Sequence, residues 1–259
     1  MNRPLYLASG IDWFVALDDG PSLRISAPER TRSLVQIRNL SRVVSPVRAC
    51  WESSALLACL SSGVPVMFSD TKGQTVGWCF GSRKRETTLA NLLRVAVGES
   101  GFLDWLSMWQ EATARREILE TFRVLQIHRL PSSEISRWPG VRSHLCNVHR
   151  IRLGVPVRDW LRCLESYSRA LAAEEVGNYV GDPALVAFPV PGLHLGEVFA
   201  DLMQWQLHQI LGLSLSERTL HESPSRWAAS AMEEHGAELR MTLGRLLGSL
   251  ELVLRERVG

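Results

Sequence analysis

The side chains that could do chemistry here are seven histidines, five cysteines and an excess of arginine. His128, His144, His149, His194, His208, His221 and His235 are scattered along the chain, and the nearest pair, His144 and His149, lies five residues apart. That spacing is out of register for two ligands on one helical face. Cys50, Cys59, Cys79, Cys146 and Cys163 fall in no CxxC or Cys/His ligand spacing, which argues against a structural zinc site. The sequence contains no GxxxxGK[ST] phosphate loop, no GxGxxG, no HExxH and no GxSxG elbow. Arginine is more informative. Lys72 and Lys84 are the only lysines among 29 basic residues. A guanidinium grips phosphate through a planar, two-pronged fork that an ammonium lacks. Codon bias in a GC-rich genome would produce the same excess, so composition leaves both readings open. Arg137, Arg142, Arg150 and Arg152 lie close together with His144 and His149 between them. This pattern suits backbone phosphates more than base edges, although a solvated helix face would look the same.

Those residues need elements to position them. The chain has 259 residues, 46% hydrophobic and 22% charged, with a formal charge of +2, an ordinary globular composition that fits one large or two modest domains. Trp13, Val15 and Leu17 alternate with other residues, as do Leu23 and Ile25, at the period of two of half-buried strands. Asp18-Asp19-Gly20-Pro21 is a turn between them. Arg42-Val43-Val44 reads as a strand, 52–60 as a helix ended by Gly63, and 64–68 and 75–80 as further strands joined by a turn over 70–73. From Glu86 the pattern is helical. Leu89, Leu92, Leu93 and Ala96 share a face, and Phe122 and Leu125 continue a helix whose outer face carries Arg115, Arg116 and Arg123. Leu239, Leu243, Leu246, Leu247, Leu250 and Leu254 form the cleanest stripe, expected to be core or a dimer seam. Trp105 and Trp109, four apart, read as core and not as base-stacking surfaces.

The expected fold class is α+β: a small β-rich N-terminal domain over 1–81, a basic linker over 82–85 containing Arg83, Lys84 and Arg85, and a larger all-α lobe over 86–259. The apolar run 55–68 is interrupted by Ser61, Ser62, Gly63 and Pro65 and is too short to span a bilayer. An odd number of cysteines without a leader pattern leads us to expect reduced thiols in a cytoplasmic protein.

The block Ser41-Arg42-Val43-Val44, then Ser53-Ser54-Ala55-Leu56-Leu57, then Gly63 through Asp70, then Gly73, resembles the N-terminal domain of the CRISPR-associated spacer integrase, the "Cas one" protein of the adaptation machinery. That family has a β-rich N-terminal domain followed by a helical lobe, the order read independently above. The resemblance implies a divalent metal, Mg²⁺ or Mn²⁺, held by a Glu in a segment like R-G-x-E-G-x-x-A-R, a His closing G-L-D-P-x-L-G-F-L-H, and an acid in L-D-L-M-E, activating a DNA 3′ hydroxyl. Here the second segment is matched by Gly181-Asp182-Pro183-Ala184-Leu185-Val186-Ala187-Phe188-Pro189, which puts Pro189 where the His belongs. The third is Ala200-Asp201-Leu202-Met203-Gln204, with Gln204 at the acid. The first best matches Arg137-Trp138-Pro139-Gly140, with Pro139 at the Glu.

Proline carries no side-chain lone pair, and the glutamine amide offers one neutral oxygen. The resemblance therefore implies no catalytic residues at the family positions, no expected cofactor and no enzyme in its own right, but a DNA-binding structural subunit of a spacer-acquisition or related complex. Arg137, Arg142, Arg150 and Arg152 are its candidate DNA contacts. The implied partners are double-stranded or splayed DNA, a second copy or an active integrase paralogue, and the small central adaptation protein, with no membrane. In the alternative, Glu134, His194 and Asp201, with His144 and Glu197 nearby, substitute as ligands, and the protein is a divergent Mg²⁺- or Mn²⁺-dependent integrase or endonuclease. A protein-interaction scaffold that ignores DNA is the second alternative.

Overall fold

The computed structural model of the chain describes residues 3–28, 30–71, 73–81, 87–127, 138–182, 185–186, 193–214 and 223–258. Alternating residues build the first sheet as expected. Strands β1 (Arg3–Tyr6), β2 (Phe14–Asp18), β3 (Ser22–Ser26), β4 (Ser33–Gln36), β5 (Leu40–Pro46) and β6 (Cys50–Trp51) are followed by helix α1 (Ser53–Ser61) and strands β7 (Val66–Ser69) and β8 (Thr75–Cys79). One sheet has the order β4-β3-β2-β6, antiparallel except for the parallel β2–β6 pair. The other has the order β1-β5-β7-β8, with its first three strands parallel and β8 antiparallel. Alternation anticipated β2 and β3, and apolar runs beside turns anticipated β5, β7 and β8. The sequence reading did not include β1, β4 and β6: β4 is a four-residue edge strand with exposed Leu34, and β6 has only two residues, too few to establish a period.

The period of two explains how the second sheet serves two cores. Val43 and Val66 join Val15, Leu23, Ile25 and the α1 residues Ala55 and Cys59 in one apolar cluster. Their neighbours Val44 and Met67 point to the opposite face and enter the core of the helical lobe. Parallel strands are normally covered on both faces, as here. Helix α1 ends at Gly63, whose φ of 76° lets the Val64 N–H reach back to the Cys59 carbonyl. Gly81 passes so close to α1 that a Cβ there would lie 2.1 Å from the Leu60 carbonyl oxygen. The basic linker expected just beyond, at 82–85, lies outside the described residues.

The helical lobe contains α2 (Thr88–Val97), α3 (Phe102–Val124), α4 (Trp138–Leu153), α5 (Arg158–Val180), α6 (Leu195–Ser214), α7 (Pro224–Glu234) and α8 (Gly236–Val258). The Thr87 hydroxyl accepts the Ala90 N–H to cap α2 and donates to the Val180 carbonyl at 2.7 Å, tying the start of α2 to the end of α5. Small residues at Ala170, Ala172 and Ala173 let α6 approach α5 closely. The leucine stripe of α8 is buried in this chain's own core, each residue at 1% exposure or less, and so is not a surface seam. Trp109 is buried in the same core, and Trp105 packs at its edge under the Arg257 guanidinium. β5 and α5 are joined by a buried ion pair, Arg42 to Glu174 at 2.5 Å, and Arg42 also donates to the Tyr6 hydroxyl at 2.9 Å.

Candidate functional site

Helix α5 presents Arg158, Arg162, Glu165 and Arg169 at spacings of four, three and four, which places them on one face. Helix α4, whose Val141 and Leu145 pack with α3 and α6, borders that face with Arg142, Ser143, Cys146 and Asn147. The start of α6 adds Glu197, and the β7–β8 turn closes the end with Gly73, Gln74 and Thr75. The groove between them has a volume of about 770 Å³ and is lined by four arginines against two glutamates. Its charges are organised. Arg142 donates to Glu165, a bond between α4 and α5, and Arg169 donates from Nε to Glu197 at 3.0 Å, a bond between α5 and α6. Glu165 is buried, whereas the Arg142 side chain keeps 42% of its surface. Arg162 lies 3.6 Å from the exposed Asp159, and Arg158 makes no ion pair among the described residues. A site of this kind can bind anions by charge-assisted hydrogen bonds.

The residues singled out from sequence fall in several places. Arg142 lines the groove. Arg150 is exposed two turns further along α4. Arg152 donates to the Leu125 carbonyl at 2.9 Å and so satisfies the end of α3. Asp201 lies one turn after Glu197 on α6, half-buried. Burial pushes its carboxyl upward, Arg169 and Arg142 pull it down, and Glu197 and Glu165 oppose them. Asp201 therefore belongs to the same charge cluster. His194 caps α6, its Nδ1 accepting the Glu197 N–H at 3.3 Å, and it stacks beside Trp78. Burial lowers its basicity. Gln204 is half-buried one turn beyond Asp201, and Pro139 sits in the first turn of α4, where a missing N–H breaks no helical bond. Glu134, Arg137 and Pro189 lie outside the described residues. Sequence reasoning missed Arg158, Arg162, Glu165 and Arg169. Their helical spacing was the available signal, but without knowing that α4 borders that face it reads as a solvated stripe.

No sequence-family model matches the chain, and no curated protein is similar to it in sequence. In solved structures the fold is plain. It is that of the Cas1 proteins. A CAS1 protein from Thermotoga maritima superposes with a TM-score of 0.72 at 13% identity, covering 97% of both chains. The protein TtCas1 matches at 0.60 and 18% identity over 98% of both chains. A casposase bound to its integration product matches at 0.61 and 12% identity, over 92% of this chain and 82% of that one.

The resemblance read from the sequence implies a divalent metal, and the donors can be tested against one. Pro139 and Pro189 have no side-chain donor and Gln204 has one neutral oxygen. The two glutamates of the groove, Glu165 and Glu197, are each bound by an arginine. Among the described residues no three His, Cys, Asp or Glu side chains form a group that could hold a metal ion. Mg²⁺ keeps its water reluctantly and needs carboxylates free to replace it. The described donor set does not fit such an ion.

Proposed function

We propose that this protein is a DNA-binding subunit of a spacer-acquisition or related DNA-handling complex, one that holds duplex or splayed DNA without itself transferring strands. The observation that carries the reading is the groove in which Arg142, Arg158, Arg162 and Arg169 converge beside the segments where the family resemblance puts its ligands. Two of the structures with this fold support it by their contents, TtCas1 in complex with DNA and the casposase bound to integration product. In this reading the protein pairs with a second copy of itself or with an active integrase paralogue, together with a small adaptation partner, and Arg142 is its principal phosphate contact. Arg150 and Arg137 extend the basic surface along α4.

The test is a strand-transfer assay with labelled duplex in Mg²⁺ or Mn²⁺, run beside a mobility-shift titration at low salt. Micromolar binding of duplex with no strand transfer is the expected result. Efficient transfer by the purified protein alone, abolished by EDTA and by Asp201→Ala, would establish a divergent enzyme instead. Failure to shift DNA at micromolar protein would leave a scaffold that does not touch DNA.

A further inference from the structure

Resting on the reading that DNA lies in this groove, we infer that guanidinium groups have taken over the electrostatic task of the cation: Arg142 and Arg169 hold a DNA phosphodiester directly, without metal, and Glu165 is the residue that positions and restrains Arg142.

Arg142 lies one turn from Pro139 on α4, and Asp201 lies one turn from Gln204 on α6. Arg142 lines the groove together with Glu197 of α6, and its charge acts on Asp201 and His208 of that helix. Arg169, reaching from α5 to Glu197, extends the cluster to Arg142, Glu165, Arg169 and Glu197, with Asp201 one turn further along α6. With Arg158 and Arg162 the groove holds four guanidinium groups against two glutamates, an excess equal to the formal charge of one divalent ion. Guanidinium groups differ from that ion in requiring no cage of free carboxylates, which is what this site lacks.

Burial orders the Arg142–Glu165 pair. The Glu165 carboxylate is 11% exposed, whereas the Arg142 side chain, which also lines the groove, keeps 42% of its surface. A guanidinium has five N–H donors in a fixed fork, so a carboxylate behind it can fix its orientation and leave donors free for a phosphate. The same carboxylate repels that phosphate. Glu165 is therefore a positioning residue that also limits affinity. Its amide isostere keeps an acceptor for Arg142 and removes the repulsion.

Fluorescence anisotropy of the full chain with a labelled duplex bearing a single-stranded flank separates these ideas. At matched ionic strength the affinity should be the same within about twofold in EDTA and in Mg²⁺. Arg142→Ala should weaken binding at least about tenfold, and Arg142→Lys should not restore it, because a single ammonium lacks the fork. Glu165→Gln should tighten binding by about fivefold, the scale of one unit charge at contact distance in water. This gain should disappear in Glu165→Gln/Arg142→Ala. Glu111→Gln, on the outer face of α3 beside Arg115, removes the same charge far from the groove and should change affinity less than twofold. A loss of function from misfolding cannot imitate the gain in Glu165→Gln. DNA binding that needs Mg²⁺, or that is unchanged by Arg142→Ala, or that tightens equally in Glu111→Gln, overturns the inference while leaving the DNA-binding reading in place. Wild-type protein that binds no DNA in any condition overturns both.

Discussion

His149 on α4 and His208 on α6 lie with parallel rings, 5.4 Å between centroids and planes 4° apart, both fully buried. Among the described residues none of their four ring nitrogens has a hydrogen-bond partner. Burial drives His149 down to about 4, with Arg152 assisting. Burial also drives His208 well below the ordinary imidazole value, with His149 and Arg142 adding repulsion. Both rings are thus neutral in the folded protein. Above the free-imidazole value near 6.5 they make no difference to stability with pH. As pH falls from there toward about 4, the unfolded chain takes up protons that the folded chain refuses, and stability is lost by up to about 1.4 kcal/mol per pH unit for each ring. Urea unfolding at pH 7.5 and pH 5.0 should show the drop. In His149→Leu/His208→Leu the drop should be markedly smaller, since apolar replacements carry no proton and remove the unsatisfied nitrogens. An equal acid loss in both proteins would assign it to other groups.

Between elements, the contact that matters most for orientation is β5 against α5. Arg42 and Glu174 are 3% and 8% exposed, and each would be a stranded charge without the other. The rings of Tyr6 and Tyr167 meet beside them at 4.3 Å. Removing one partner of a buried pair costs about 3–5 kcal/mol, whereas replacing both with apolar groups is often neutral. We therefore expect Arg42→Met or Glu174→Leu alone to lower stability by that amount in chemical denaturation. The double variant should recover most of it. Additive losses would mean that the pair is not what holds the sheet to the helix. Because α5 also carries the arginines of the groove, a loosened β5–α5 contact should weaken DNA binding even with every arginine in place.

Across the whole molecule, a formal charge of +2 conceals how the charge is arranged. Outside the groove several arginines of the helical lobe are neutralised locally: Arg94 by Asp182, Arg123 by Glu120, Arg240 by Glu175, Arg245 by Glu117 and Arg257 by Glu99. The groove retains an excess. If phosphates lie along it, the logarithm of affinity should fall linearly with the logarithm of salt concentration, and removing Arg158 and Arg162 together should reduce the magnitude of that slope by about two. The effect should be the same for unrelated DNA sequences, because phosphate contacts carry no base information. A slope unchanged by the double substitution would place the phosphates on another surface, the α4 face around Arg150 being the next to examine.

Much of this was legible in the order of the residues. Alternation and short apolar runs between turns pointed to five strands, the α8 leucines marked a buried face, and the later helical texture set a helical lobe after the β-rich part, because these signals act within one element over a few residues. That Pro139 and Pro189 offer no side-chain ligand and Gln204 only a neutral oxygen is read from the sequence too, since it is a property of the side chain and not of the fold. What only the tertiary structure decided is which side chains meet. Arg142 and Arg152 look alike in sequence, yet one faces a groove and the other closes the end of α3. Arg158, Arg162, Glu165 and Arg169 become a site only because α4, the start of α6 and the β7–β8 turn border them. The helical period assigns each residue to a face of its own helix. The partner of that face is set by packing between segments distant in the chain, and no local pattern encodes it.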